Sequence, residues 1–375
     1  VDASVDLSDG VLILQSLFQG GRQLDCLDSG DADDSGELDL SDAVYDFNYL
    51  FLGGRPPPAP FPACGEDSTA DGLGCESSEL CDYKPPPAGG GRNIMVIISD
   101  DLGADSAACY GDAGAFASTP NIESLCQRGV VFRNTWANPL CSPTRASMLT
   151  GRYGFRTGVG HLANNNGGGL PNSEFTIPEA LDANGDLGYS HACIGKWHLS
   201  DRTNGGMNHP NLAGFSHFSG GLRGGVQDYN SWPKVVNGQQ RNGTNYATTE
   251  NVDDAIGWIE GQEGPWFLWL AFNAPHTPLH LPPAGLHSHN DLTGTAADIS
   301  NRPRDYFGAM IEAMDRSFGK LLAKLDELGL RDNTLVVFTS DNGGFSGVAD
   351  NRPLRAGKGY LYEGGIRVPL MVRWP

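Results

Sequence analysis

The sequence predicts an α/β fold, a mostly parallel central sheet flanked by helices, with a small acidic α-helical module ahead of it. Three observations carry this. The apolar runs 93–99, 266–272 and 334–339 are continuous rather than alternating, which suits strands buried on both faces of a parallel sheet. Between the last two, Phe307, Met310, Ile311, Met314, Phe318, Leu321, Leu322, Leu325 and Leu328 recur at three- and four-residue steps, the pattern of one core-facing helix stopped by Gly329. Charge is unevenly spread. Of a net −20, residues 1–82 hold 18 acidic and 2 basic side chains, and the rest hold 27 and 23.

A chain of 375 residues has room for two domains, one with a substantial core. No apolar run approaches the length of a membrane span, so the chain reads as soluble. Its acidity argues against a nucleic-acid partner. Cys26, Cys64, Cys75 and Cys81, half of the 8 cysteines, lie in the acidic part. That fits disulfides and a secreted, periplasmic or cell-surface location, with the pairing left open. The start at Val1, with neither Met nor signal peptide, reads as a mature product or fragment.

Residues 31–42 read Asp-Ala-Asp-Asp-Ser-Gly-Glu-Leu-Asp-Leu-Ser-Asp. With Asp31 first, oxygen-bearing side chains fall at Asp31, Asp33, Ser35, Asp39 and Asp42, Gly36 sits at the turn, and the Glu37 carbonyl is available. This is the spacing of an EF-hand calcium loop ending in Asp rather than Glu; the alternative is a solvated acidic loop. A shift of 33 residues aligns Val5-Asp6-Leu7-Ser8-Asp9 with Leu38-Asp39-Leu40-Ser41-Asp42, and Leu17 to Gly21 with Leu50 to Gly54. The first copy lacks the start of its loop, so the chain reads as opening inside a repeat. The pair resembles a type I dockerin, which implies a two-helix Ca²⁺-folded module and a cohesin-like docking partner. Pro56–Pro58 and the run from Pro85 to Gly91 read as spacer and linker. The divisions are therefore 1–55, 56–91 and 92–375.

In the large domain the first apolar run ends in Asp100-Asp101. Paired acids beyond a strand's carboxyl end point to a metal, with a helix cap at Asp101 as the lesser alternative. Thr119-Pro120-Asn121 starts a helix that Gly129 stops. Cys141-Ser142-Pro143-Thr144-Arg145 places a thiol and a cation at a loop-to-helix junction, with Gly151 as the stop; a lone Cys is more often a small buried hydrophobe. Lys196-Trp197-His198 would project Lys and His to one side of an extended segment. Residues 201–250, rich in Gly, Asn and Thr, carry no assigned secondary structure. His276 lies just past a strand end between prolines, where a proton donor suits; His280, His287 and His289 read as surface. Asp341-Asn342-Gly343 repeats the oxygen ligands at a strand end, or is a simple turn. Lys358 lies between glycines, and Val368 to Pro375 begins a further strand.

These segments resemble, in order, the signatures of the formylglycine-dependent sulfatase family: Asp-Asp-Leu-Gly, Thr-Pro-Asn, Cys-x-Pro-x-Arg, Gly-Lys-Trp-His, Pro-His-x-Pro, Asp-Asn-Gly and Gly-Lys-x-x-x-x-Glu-Gly-Gly. The resemblance covers residues 92–375 and implies an alkaline-phosphatase-like fold. It implies that Cys141 is oxidised to formylglycine by a generating enzyme that reads the surrounding residues. It further implies an active-site Ca²⁺ held by Asp100, Asp101, the modified Cys141, Asp341 and Asn342. Arg145 would hold the aldehyde hydrate, Lys196 and Lys358 neutralise the sulfate, His276 with Lys358 protonate the leaving oxygen, and His198 deprotonate the second hydroxyl. The substrate would be a sulfated small molecule or carbohydrate. Glu123 and His191 depart from the family's usual Asp and Thr, and the family continues past Pro375, so the chain reads as cut at both ends. Rival readings are a phosphate or phosphonate ester hydrolase of the same superfamily, a non-catalytic docking protein, and a thiol hydrolase using Cys141 with His198.

Acids at the density of residues 31–42 repel one another unless a cation is present. Chelation of Ca²⁺ is expected to lower the helical circular dichroism of the N-terminal module. A spectrum indifferent to chelator would count against the calcium loop.

Overall fold

The computed structural model describes residues 7–18, 30–52, 54–58, 92–107, 109–110, 117–183 and 187–374. The chain divides into two compact units, Val1–Ala88 and Gly89–Pro375. Cys26, Cys64, Cys75, Cys81, the second proline run and parts of the 33-residue repeat lie outside the described residues.

In the first unit, helices Leu7–Phe18 and Leu40–Leu52 begin at the same offset as the sequence repeat. They pack closely, with Ile13 and Ala43 buried, and a Cβ on Gly10 would lie 2.6 Å from the Phe47 ring.

The second unit is built on one nine-stranded sheet: β1 (Asn93–Ser99), β2 (Val130–Val131), β3 (Ser190–Lys196), β4 (His217–Gly221), β5 (Trp232–Val236), β6 (Gln239–Gly243), β7 (Trp266–Ala271), β8 (Thr334–Ser340) and β9 (Leu370–Arg373). The order is β2-β9-β8-β1-β7-β3-β4-β5-β6. The five strands from β8 to β4 run parallel, and antiparallel pairs flank them on both sides. The three continuous apolar runs became β1, β7 and β8. Residues left unassigned by sequence form β4, the β5–β6 hairpin and the start of helix Ala247–Glu260. Asn237-Gly238, with φ of 46° and 77°, makes the two-residue hairpin turn, an available signal that composition masked.

Alternation along each central strand feeds two cores. Met95, Ile97, Leu268 and Leu270 face the side covered by helices Pro120–Arg128, Ala247–Glu260 and Pro303–Glu327. Ile98, Phe267 and Trp269 face the side holding Ala146 and Leu149 of helix Cys141–Thr150. The long helix ends at Glu327, just ahead of Gly329 (φ 67°), and buries Met310, Met314, Phe318, Leu321 and Leu325 completely. It also caps a neighbour. Thr119 makes no side-chain cap, and the Asp315 carboxylate instead accepts the N–H groups of Asn121 (3.1 Å) and Ile122 (2.8 Å). A disulfide joins Cys109 to Cys126 in this helix.

Because β8, β1, β7 and β3 are parallel neighbours, their carboxyl ends deliver residues 340–342, 100–101, 272–276 and 196–198 to one edge of the sheet. Gly195 makes this spacing possible. It has φ 95°, and a Cβ there would sit 1.9 Å from the Ala271 carbonyl oxygen. Gly195→Ala adds backbone strain to a clash that cannot relax, a loss of roughly 2–4 kcal/mol. A lower denaturant midpoint with unchanged slope is the expected readout.

Candidate active site

Cys141 opens helix Cys141–Thr150, which starts without a side-chain cap and ends at Gly151 in the left-handed region (φ 66°). Its first residues therefore present free N–H groups and the positive end of the helix dipole. The thiol is 3.7 Å from Asp100 Oδ1. Ligand atoms of Asp100, Asp101, Cys141 and Asp341 all lie within 4.8 Å of one another, and all four residues are buried. Asn342 joins them, its Nδ2 donating to Asp101 Oδ1 at 2.7 Å. Asp101 adopts φ 69°, and the short helix that follows at Ala104–Ser106 starts from Gly103 without a side-chain cap, so Asp101 is not a helix cap.

Three cations answer the three carboxylates. Arg145, fully buried, donates through Nε (3.1 Å) and Nη2 (2.7 Å) to Asp341 Oδ2 and through Nη1 to the Lys196 carbonyl (2.9 Å). Lys196 Nζ is 2.6 Å from Asp100 Oδ2. Lys358 Nζ is 2.5 Å from Asp101 Oδ1, and its side chain is 13% exposed where the other two are sealed. Burial opposes ionisation of Asp341, but Arg145, Lys196 and Lys358 hold it well below the usual carboxylate range. Burial pushes the Asp100 carboxyl up, against the pull of Lys196.

His198 reaches the site differently from the sequence expectation. Lys196 closes β3, whereas His198 lies beyond it with a left-handed backbone (φ 58°), so a turn rather than strand pleat aims its ring. Burial, then Lys196 and Arg145, hold its imidazole well below its ordinary range, which keeps it neutral. His276 Nε2 stands 3.8 Å from Asp101 Oδ2. Burial and Asp341 push the Cys141 thiol up to about 12, so as a thiol it is a poor nucleophile.

A cavity of about 460 Å³ opens onto this group, lined by Cys141, His198, His276 and Lys358 with residues 161–164 and Gly224. The 161–164 wall carried no sequence signal. It is registered by Ser142, whose hydroxyl accepts the Ala163 N–H (3.0 Å) and donates to the His198 carbonyl (2.8 Å). His280, read as surface, instead stacks on Tyr229 at 4.2 Å and bonds the Tyr246 hydroxyl.

The donor set fits a hard divalent cation. It offers carboxylate oxygens from two strand ends, and Asn342 Oδ1 is buried with no hydrogen-bond partner among the described residues. In the N-terminal unit the ligand atoms of Asp31, Asp33 and Asp42 also lie within 4.8 Å of one another. There Asp31 accepts the Ser35 and Gly36 N–H groups, Ser35 donates to the Glu37 carbonyl, and Asp39 accepts the Ser41 N–H. Gly36 makes the turn with φ 81°.

A sulfatase family profile matches residues 92–375. N-acetylgalactosamine-6-sulfatase of Rattus norvegicus is 32% identical over 318 residues, covering 76% of this chain and 57% of that protein. Arylsulfatase A of Homo sapiens is 32% identical over 309 residues, covering 76% and 59%. The crystal structure of Ps i-CgsB in complex with k-i-k-neocarrahexaose superposes with a TM-score of 0.66 at 34% identity, covering 76% of this chain and 66% of that one. Phosphonate monoester hydrolase of Agrobacterium radiobacter shares the fold, with a TM-score of 0.54 at 22% identity over 76% of this chain and 68% of its own. The chain thus spans 57% of the length of the first of these sulfatases. With its residues 92–375 matched throughout, the chain belongs to the sulfatase family.

Proposed function

We propose that this protein hydrolyses a sulfate ester, of a carbohydrate or an aryl alcohol, at Cys141. The observation that carries the reading is the convergence of three buried carboxylates, three cations and Cys141 at a cavity also lined by the imidazoles of His161, His198 and His276. Asp100, Asp101, Asp341 and Asn342 would hold Ca²⁺, which supplies charge to polarise the nucleophile and a sulfate oxygen. Oxidised to formylglycine by a generating enzyme, residue 141 would supply the attacking oxygen as an aldehyde hydrate.

The chain's own side chains then have separable tasks. Lys358, the cation open to the cavity, faces the sulfate oxygens, while Lys196 and Arg145 fix Asp100 and Asp341. His276 donates a proton to the departing oxygen, and neutral His198 accepts one. The carboxylates cancel the three cations, so a divalent ion would leave a net positive site for an anionic ester. The raised Cys141 thiol counts against thiol hydrolysis, which would also leave two acidic strand ends without a task.

The N-terminal unit would bind a second Ca²⁺ through Asp31, Asp33 and Asp42, with Ser35, Glu37 and Asp39 completing a dockerin-like loop for a cohesin-like partner. The Cys109–Cys126 disulfide supports a secreted, periplasmic or cell-surface location. No helix among the described residues is long and apolar enough to cross a membrane.

Aryl sulfate is expected to be turned over faster than the matching aryl phosphate, Cys141→Ala to abolish turnover, and Lys358→Ala to lower kcat/KM about 10²–10³-fold. Steady-state kinetics on the oxidised full-length protein checks all three. An active Cys141→Ala protein would falsify the nucleophile assignment, and a preference for phosphate would move the chain to the phosphoester hydrolases.

A further inference from the structure

The loop between β4 and β5 bears on His198 and His276, two of the three imidazoles that line the cavity. A Cβ built on Gly224 would lie 2.5 Å from His198 Cε1 and 2.8 Å from its Nε2. One built on Gly225 would lie 3.2 Å from both Cε1 and Nδ1 of His276. Bare backbone is thus packed against each ring, one glycine to each. Neither glycine has the positive φ that would explain it by conformation alone.

Tyr229, farther along the same loop, is 1% exposed. Its hydroxyl lies 2.7 Å from the carbonyl oxygens of Asn273 and of His276, the two ends of the turn that carries His276. That turn is closed by the His276 N–H on the Asn273 carbonyl at 2.9 Å. The Tyr229 ring stacks on His280 at 4.2 Å, and its carbonyl accepts the Ala247 N–H at 2.8 Å, which anchors the loop to helix Ala247–Glu260. On the imidazole itself, Nδ1 is 2.7 Å from the Thr277 carbonyl. Nδ1 therefore carries a hydrogen, and Nε2 is the nitrogen available for proton transfer.

We propose that Gly225 and Tyr229 are positioning residues for His276, holding Nε2 where the ester oxygen departs, and that Gly224 confines His198 in the same manner. The chemistry rests on the sulfatase reading; the geometry does not. In the step concerned, a bond forms to sulfur from the oxygen at residue 141, attacking as the alkoxide after its proton has passed to solvent. The S–O bond to the alcohol breaks, and the proton on His276 Nε2 moves to the departing oxygen, leaving a neutral alcohol and a neutral imidazole. Such transfer needs heavy-atom separations of about 2.6–3.2 Å, so displacements of a few tenths of an ångström are felt. They are felt most when the departing oxygen is strongly basic. A sugar alkoxide needs the proton, and a nitrophenolate leaves without it.

The test compares Tyr229→Phe and Gly225→Ala with the unsubstituted full-length protein carrying oxidised Cys141. It uses a sulfated monosaccharide and a series of aryl sulfates ending at nitrophenyl sulfate, together with crystal structures of all three proteins. Each variant is expected to lower kcat/KM for the sugar sulfate about 10–100-fold more than for nitrophenyl sulfate. The His276 ring is expected to be displaced in both variant structures. An equal loss across the series, or a His276 ring that has not moved, overturns the proposal. If Tyr229→Phe does not fold, Gly225→Ala decides alone, since the tight contacts of its methyl group are to the ring edge at 3.2 Å and the Thr277 carbonyl oxygen stands at an ordinary contact distance of 3.6 Å. If the unsubstituted protein cleaves no sulfate ester, the sulfatase reading fails, and the position of the ring still decides whether these residues set it.

Discussion

The second unit is arranged around a constraint that no single strand could satisfy: Asp100, Asp101 and Asp341 are carboxylates sealed from water at the ends of adjacent strands. An unpaired buried charge costs several kcal/mol even after relaxation, so each must be answered within hydrogen-bond distance. The answers come from far along the chain. Arg145 arrives on the helix after β2, Lys196 at the end of β3, and Lys358 from the loop after β8. The fold is in this sense a device for bringing those cations back to one sheet edge. The carboxylates that could hold a metal ion are the ones those cations compensate.

That constraint also separates the cations. Arg145 and Lys196 are sealed, with Arg145 donating to Asp341 and the Lys196 carbonyl and Lys196 to Asp100. Lys358 alone of the three lines the cavity. Depth of burial thus distinguishes Lys358, which is 13% exposed, from Arg145 and Lys196.

What could be read from sequence follows the range of the interactions. β1, β7, β8 and the long helix were legible because burial on two faces, or on one helical stripe, writes itself locally as an apolar pattern. The helix starts and stops at Pro120, Gly151 and Gly329 were legible because they depend on one residue's backbone. Lys196 and His198 were placed together for the wrong reason, a pleat where the chain makes a turn. Residues 161–164, the Gly224-Gly225 pair and the Tyr229–His280 stack left no trace. Their meaning lies wholly in side chains distant in sequence, and small polar residues have no period to betray them. Asp315 capping a helix almost two hundred positions earlier is invisible for the same reason.

Residues 141–145 are all buried once the chain has folded: Cys141 is 1% exposed, Thr144 3%, and Ser142 and Arg145 not at all. An enzyme that recognises this pentapeptide has no access to it in the finished protein. If Cys141 is oxidised as proposed, that oxidation would belong to biosynthesis, in the interval between emergence of the segment and closure of the sheet edge over it. The amount of active protein would then be set by a race between modification and folding, and a chain that folds first would be intact, stable and permanently without its nucleophile.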